Sequence, residues 1–320
     1  MDDPWSHASR SRSSNAVSAD DPRVDALVAK LEKNPELLLA FVGPTASGKT
    51  EIAIQVAEKI GGEIVSVDSV QVYRGFDIGS GKPSADERRR APHHLVDIVD
   101  PLEPIDAARF AEAAATAIRE IRARGLRPIL CGGTFLWLKS LLFGLVEAAP
   151  GNDEIRARHR SEVERIGREA FHEQLRKVDP ESAERLHPND VVRVGRALEV
   201  YELTGKTLSA GQRAHGFSEP RYDAELIALT RTPEELTERI RSRVDTWLAS
   251  GWIEETEQLL EKGYGVSRAM TTVGYREVRD FLAGDLARED LSATIVRRTR
   301  VFARRQRTWL NQPSGLLSWI

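Results

Sequence analysis

With one cysteine, Cys131, in 320 residues, the chain cannot close an internal disulfide, and no Cys/His cluster shows metal-ligand spacing. A disulfide scaffold is thereby excluded, and a reducing compartment is expected. Long apolar runs are missing as well. Near the start the longest, residues 37–42, is far short of the roughly 20 residues that a membrane span needs. Nor does one charge dominate, since 46 Lys and Arg stand against 49 Asp and Glu, a net charge of -3. That balance excludes a uniformly basic nucleic-acid coat. What is present is 41% hydrophobic and 30% charged residues, the composition of a globular protein with a charge-dense surface. The length allows two domains or one large one.

Residues 1–35 read as a disordered leader. They are Ser-rich, carry Asp2 and Asp3 where a signal peptide has lysines, and contain no apolar core segment. From Glu36 onward strands and helices alternate. Strands are predicted over residues 37–42, 63–67 and 128–131, and a weaker one over 94–99. Helices are predicted over 49–60, closed by Gly61-Gly62, and over 106–124, capped by Asp106 and stopped at Gly125. The texture then changes. Residues 152–178 form a charged helical stretch, and Asp190 can cap a helix that ends at Gly205. Alternation resumes with a strand over 224–230, and Thr232-Pro233-Glu234-Glu235 is a capping box that opens a helix to Ser250. The fold predicted is α/β: a parallel sheet with helices on both faces over 36–145 and 216–320, interrupted by an all-helical insertion at 146–215.

Gly43-Pro44-Thr45-Ala46-Ser47-Gly48-Lys49-Thr50 sits between the first strand and the first helix of that core and matches the phosphate-binding P-loop. Backbone N–H groups at the helix N-terminus cradle phosphate oxygens, Lys49 adds a point charge, and the Thr50 hydroxyl suits Mg²⁺. This predicts a P-loop NTPase-like core, without saying which phosphate compound is held. A Walker-B acid is expected at the end of an apolar strand, yet the 128–131 strand runs into Cys131-Gly132-Gly133. Asp68 and Asp97 remain as candidates. Asp68 is the better placed, because it ends a strand at the edge that faces the ligand crevice of an open α/β sheet. Equally, Asp68 can simply cap the turn that follows it.

Taken in order, GPTASGKT, Asp68-Ser69 with Gln71-Val72-Tyr73, Asp77-Ile78-Gly79 with Lys82-Pro83, Pro92-His93-His94-Leu95 and Gly132-Gly133-Thr134 resemble the tRNA dimethylallyltransferase (tRNA isopentenyltransferase) family. Arg196-Ala197-Leu198-Glu199, Thr204-Gly205-Lys206, Val273-Gly274-Tyr275-Arg276-Glu277 and Arg305-Gln306 with Thr308-Trp309 continue the resemblance. It implies transfer of the dimethylallyl group from dimethylallyl diphosphate to N6 of the adenosine at tRNA position 37, beside the anticodon. On that reading the P-loop grips a leaving diphosphate, so no γ-phosphate has to be transferred and the missing Walker-B acid is explained. The resemblance implies Asp68 as general base, Thr45, Lys49 and Arg243 on the diphosphate, and Mg²⁺ on Thr50. It implies tRNA contacts from Asp68, Ser69, Val70, Gln71, Thr134, Gly274, Tyr275, Arg276, Arg304, Arg305, Gln306 and Trp309, with Arg156, Arg193 and Arg196 of the insertion reaching the anticodon stem-loop. Trp137 stands where the family more often has tyrosine.

One local basic feature is consistent with tRNA, although a charge run is by itself more often a solvated face. Arg297, Arg300, Arg304 and Arg307 form an i, i+3, i+4 stripe in a helical stretch free of acids, a spacing that can track phosphates. Rival readings are a prenyltransferase acting on free AMP or ADP, an ATP-dependent small-molecule kinase, and an RNA-binding module with a vestigial P-loop. The insertion and the terminal Arg/Gln/Trp stretch favour tRNA over a free nucleotide. Because the chain ends soon after Trp309, a bacterial-type enzyme without a C-terminal zinc finger is expected, monomeric, cytoplasmic and with no membrane contact. His93-His94 point to opposite faces of a strand and do not share a metal.

Overall fold

The computed structural model describes residues 21–145, 151–216, 219–229 and 231–310, and the backbone of 317–319. The chain forms two compact units, one built from the segments up to Leu141 and from Tyr222 onward, the other Leu142–Arg221.

The first unit is organised by β1 (Leu38–Val42), β2 (Glu63–Val67), β3 (His93–His94), β4 (Pro128–Gly132), β5 (Ala224–Ala228) and β6 (Leu317–Trp319). They form one parallel sheet in the order β3-β2-β4-β1-β5-β6. Every residue of β1, β2 and β4 is buried, as expected where helices cover both faces of a parallel sheet. Leu39, Phe41, Ile64 and Ile129 pack against α1 (Pro22–Lys33) and α2 (Lys49–Ile60). The alternate residues Leu38, Ala40, Val65 and Leu130 are equally buried and face the other way, where α4 (Ala107–Ala123) lies along β2 and β4. Phe110, Ala114, Ala117, Ile118 and Ile121 form the buried stripe of α4, and Asp106 caps it through the Ala108 and Arg109 N–H groups. The short α3 (Ala85–Arg90) opens on a Ser84–Glu87 capping box, and α5 (Phe135–Phe143) follows β4.

The second unit contains α6 (Asp153–Ile166), α7 (Arg168–Val178), α8 (Pro180–Arg185), α9 (Val191–Thr204) and α10 (Leu208–His215) around Phe171, Leu175, Ala183, Val194, Ala197 and Leu198. The stretch expected to be one helical run over 152–178 is two helices. Gly167 separates them at φ 83°, a left-handed conformation that an α-helix cannot continue through.

Back in the first unit, α11 (Pro233–Ala249) packs along α14 (Arg288–Leu310), and α12 (Trp252–Glu261) packs on α13 (Tyr275–Leu282). Thr232 and Glu235 make the expected capping box at the start of α11.

Two expectations are corrected. Residues 22–33 are not leader but helix α1. Asp21 caps it, and Val24, Leu27 and Leu31 recur at i, i+3 and i+7 so as to bury one face against the sheet-bound core. The rest of the expected leader, residues 1–20, lies outside the described residues. The strand expected over 94–99 ends at His94, because Leu95 (φ 61°) and Asp97 (φ 60°) are left-handed and the buried Lys82 ammonium holds Asp97 out of the sheet. Further on, an isolated parallel bridge joins Val99 to Tyr73. Asp97, also paired with Arg88, is a structural anion and not a strand-end acid.

Candidate active site

The loop joining β1 to α2 carries residues 43–48, and Ala46 sits at φ 65°, a left-handed conformation rare outside glycine and typical of functional loops. Distant side chains hold the loop in place. Thr45 N–H donates to Gln306 Oε1 (2.9 Å), whose Nε2 in turn donates to Gly133 O (3.1 Å) at the end of β4. Arg239 Nε donates to Ala46 O (2.7 Å), Arg231 Nε to Ser47 O (3.2 Å), and Arg243 donates to the Thr45 hydroxyl (3.2 Å). Lys49 Nζ lies 3.4 Å from Pro44 O. Arg239 and Arg243 share a face of α11 at i, i+4, as their spacing requires.

These cations stress one another. Burial lowers the Lys49 ammonium below the ordinary lysine range, with Arg243 adding to the fall while Cys131 and Asp68 oppose it. Burial likewise lowers Arg243, and Arg239 beside it adds to the effect. Among the described residues, none of Lys49, Arg231, Arg239 and Arg243 has a carboxylate within 4.0 Å. A polyanion on the loop would supply the missing charge and the N–H acceptors at once.

Asp68 follows β2. Its Oδ1 accepts the Val70 and Gln71 N–H groups (2.8 and 3.2 Å), so the turn-cap role is real, and among the described residues its Oδ2 takes no hydrogen bond. The Thr134 hydroxyl accepts Ser69 N–H (3.1 Å) and donates to Ser69 Oγ (3.3 Å), which locks the end of β2 to the end of β4. Two adjoining cavities meet at Thr45, Lys49, Asp68, Ser80, Arg243 and Trp247. The polar one, about 320 Å³, reaches Thr50, Glu87, His93 and Cys131. The other, about 350 Å³, is walled by Val70, Val244, Trp252, Val273, Ile295 and Phe302 and also reaches Thr134, Arg276 and Arg305. Burial pushes the Cys131 thiol up to about 11, so it stays a neutral wall group. No cluster of three or more His, Cys, Asp or Glu suited to a metal occurs among the described residues. Thr50 lines the polar cavity beside Lys49, and its hydroxyl is of the oxygen type that Mg²⁺ takes.

Several residues of the expected tRNA set are engaged within the protein. Tyr275 is fully buried, and its hydroxyl donates to Glu255 Oε1 (2.6 Å) and accepts Gly79 N–H (3.1 Å). Burial, with Glu255 beside it, raises its phenol far above the ordinary range. Gly274 caps α13 through its N–H to Glu277 Oε2 (2.6 Å). The Gln71 amide is engaged by Ser66 and by Ser80 O and Gly81 O, so it shapes the 80–81 turn. Gln306 braces the P-loop, and Trp309 stacks on Phe135 at 4.2 Å. Trp137 is 2% exposed and stacks on Phe110 at 4.5 Å, inside the core and away from both cavities.

The arginine stripe is where its periodicity puts it. Arg297, Arg300, Arg304 and Arg307 line a groove of about 300 Å³ with Pro233, Leu236 and Ile240 of α11. None of the four has an acidic partner among the described residues. In the second unit, Arg156 (3.0 Å) and Arg196 (2.5 Å) grip the buried Glu199. Burial opposes ionisation of Glu199, yet the Asn152 N–H and these guanidinium groups hold its carboxyl below the usual range. Arg193 pairs only with Asp190 (3.4 Å) and is 75% exposed.

The side chains holding the loop or lining the cavities that the sequence reading missed include Arg231, Trp247 and Trp252. Trp247 had a signal, since it stands at i+4 from Arg243, whose guanidinium lies 5.4 Å from its ring centroid. Arg231, one residue before a capping box, had none.

A family model described as IPP transferase matches residues 71–313, and one described as Isopentenyl transferase matches residues 36–103. The tRNA dimethylallyltransferase of Sorangium cellulosum is 59% identical over 276 residues, 86% of this chain and 88% of that protein. Its namesake 1 from Pelobacter propionicus is 48% identical over 284 residues, 88% and 92% of the two chains. Among solved structures, the tRNA isopentenylpyrophosphate transferase of Bacillus halodurans is similar at TM-score 0.65 and 36% identity, covering 89% of each chain. A eukaryotic dimethylallyltransferase acting on tRNA gives TM-score 0.77 at 29% identity, over 89% of this chain and 73% of that one. The P-loop core and the spread of these matches along the chain lead to one conclusion: this protein belongs to the IPP transferase family, the family of the tRNA dimethylallyltransferases.

Proposed function

We propose that this protein transfers the dimethylallyl group of dimethylallyl diphosphate to N6 of the adenosine at tRNA position 37 and releases diphosphate. The observation that carries the reading is the junction of a cationic loop and an apolar cavity at Asp68, with Lys49 and Arg243 on one side and Val244, Trp252 and Ile295 on the other. A donor with a charged diphosphate and a short hydrocarbon matches that division. The family membership and the tRNA named for its relatives support the acceptor.

In the reaction the adenine N6 attacks C1 of the allyl group, the C1–O bond breaks, and the N6 proton passes to Asp68. Lys49, Arg243 and the P-loop N–H groups stabilise the charge that grows on the departing diphosphate, each such donor being worth roughly 3 kcal/mol of barrier. Mg²⁺, held by Thr50 and the diphosphate, would neutralise part of that charge when bound. Proton removal accompanies or follows C–N bond formation, when the developing charge has made the N6 proton acidic. The target base has to leave the anticodon-loop stack, which costs a few kcal/mol and least in a single-stranded loop.

The unpaired stripe on α14 is assigned to tRNA phosphates, and Arg305 in the apolar cavity to the nucleotide that enters it. Replacing Arg304 and Arg305 by glutamine is expected to reduce the log-log salt slope of tRNA affinity by about one to two. An unchanged slope places the stripe outside the interface. Action as a monomer in the cytoplasm fits the reading, and no described helix is long and apolar enough to cross a membrane. The direct test is diphosphate release. It is expected only when tRNA and dimethylallyl diphosphate are both present, whereas consumption of ATP in the absence of a prenyl donor would make the protein a kinase.

A further inference from the structure

The apolar cavity has a wall that cannot yield, and its position bears on which donor is accepted, an inference that rests on the reading above. Trp247 borders both cavities, whereas Trp252 borders only the apolar one. Trp252 is 1% exposed and wedged between two backbones. A Cβ on Gly79 would lie 2.1 Å from its Nε1, and one on Gly274 would lie 2.4 Å from its Cη2. Only glycine lets the chain approach the ring on both sides. Its indole N–H is buried without an acceptor, so packing and not hydrogen bonding has placed the ring.

Neighbouring groups fix the wedge. Trp252 meets Trp247 (5.5 Å, 88°) and Tyr275 (5.7 Å, 87°) edge to face. The turn carrying Gly79 is held by Glu255 Oε2, which accepts the Ile78 N–H (2.8 Å), and by the Tyr275 hydroxyl. Gly81 is held by Gln71 (2.9 Å) and lies against Trp247, whose ring would meet a Cβ there at 2.9 Å. A close-packed wall of this kind does not retreat for an extra isoprene unit. Phe302 on the cavity wall is 42% exposed and Trp252 only 1%, so the open side is assigned to the incoming base and the closed Trp252 side to the tail of the donor.

We propose that Trp252, set by Trp247 and the turn at residues 79–81, is the chain-length stop of the donor pocket, admitting a five-carbon allylic diphosphate and rejecting a ten-carbon one. The bonds made and broken are the same for both donors, so the discrimination is steric. The experiment compares kcat/KM for dimethylallyl and geranyl diphosphate, with tRNA as acceptor, in the unaltered protein, Trp252→Leu, Trp252→Phe and Trp247→Leu. Thermal melts establish which variants fold. The unaltered protein is expected to favour the five-carbon donor by about a hundredfold, and a folded Trp252 variant to narrow that ratio by about tenfold or more through a gain on geranyl diphosphate. Trp252→Phe keeps an aromatic ring in the wedge and decides the matter if Trp252→Leu does not fold, with Trp247→Leu as the partial opening at the rim. An unchanged ratio in the folded variants overturns the proposal, as does equal use of both donors by the unaltered protein. No product from dimethylallyl diphosphate in the unaltered protein overturns the donor reading itself.

Discussion

Asp68→Asn is expected to lower the single-turnover rate of prenyl transfer by about 10²–10⁴-fold, the range lost with a positioned general base, while tRNA affinity is retained. Asparagine is the informative substitution here. Its Oδ1 still accepts the Val70 and Gln71 N–H groups, so the turn after β2 stays intact. What disappears is the second carboxylate oxygen, which takes no hydrogen bond among the described residues, on a side chain that borders both cavities. Rapid-quench kinetics separate this loss from binding. Should rate and affinity fall together, Asp68 grips the nucleotide and the proton goes elsewhere.

Lys49→Met is expected to cost about 10²–10³ in kcat, the scale for one donor aimed at charge that develops in the transition state. Arg243→Gln is expected to behave similarly, since its guanidinium reaches the Thr45 hydroxyl at 3.2 Å and lies beside the same cavity. The two losses are not additive, because both groups act on one diphosphate. Diphosphate inhibition measures the second half of the argument. Each variant should bind inorganic diphosphate more weakly, and a variant that binds it as tightly as the unaltered protein would remove that residue from the leaving-group site.

Much of the core was legible because the signals are local. Eight consecutive residues specify the phosphate loop, Asp106 and Thr232 announce helix starts by side-chain chemistry, and buried strands read as short β-branched runs. Asp68 was legible for the same reason, as a strand-end acid. The site's support was not. Gln306 reaches Thr45 across 261 positions of sequence, and Arg231 and Arg239 reach the loop across 184 and 193, so no window of sequence contains both partners. Tyr275 illustrates the converse. A tyrosine inside a family motif suggests a ligand contact, yet the structure buries it to hold Glu255 and Gly79. Helix α1 was hidden by the Ser-rich segment before it, although Val24, Leu27 and Leu31 carry helical spacing. The strand predicted over 94–99 failed because left-handed Leu95 and Asp97 answer to Lys82, whose own partners are Asp77, Asp97 and Tyr73 O.

Where the prenyl group goes tests the proposed function most directly. Incubation with dimethylallyl diphosphate and Mg²⁺, offering tRNA transcripts with and without adenosine at position 37 alongside AMP, followed by nucleoside mass spectrometry, reads this in one experiment. Prenylated adenosine from the position-37 transcripts alone is the predicted result. Prenylated AMP, or prenylated nucleoside from transcripts that lack that adenosine, would contradict it.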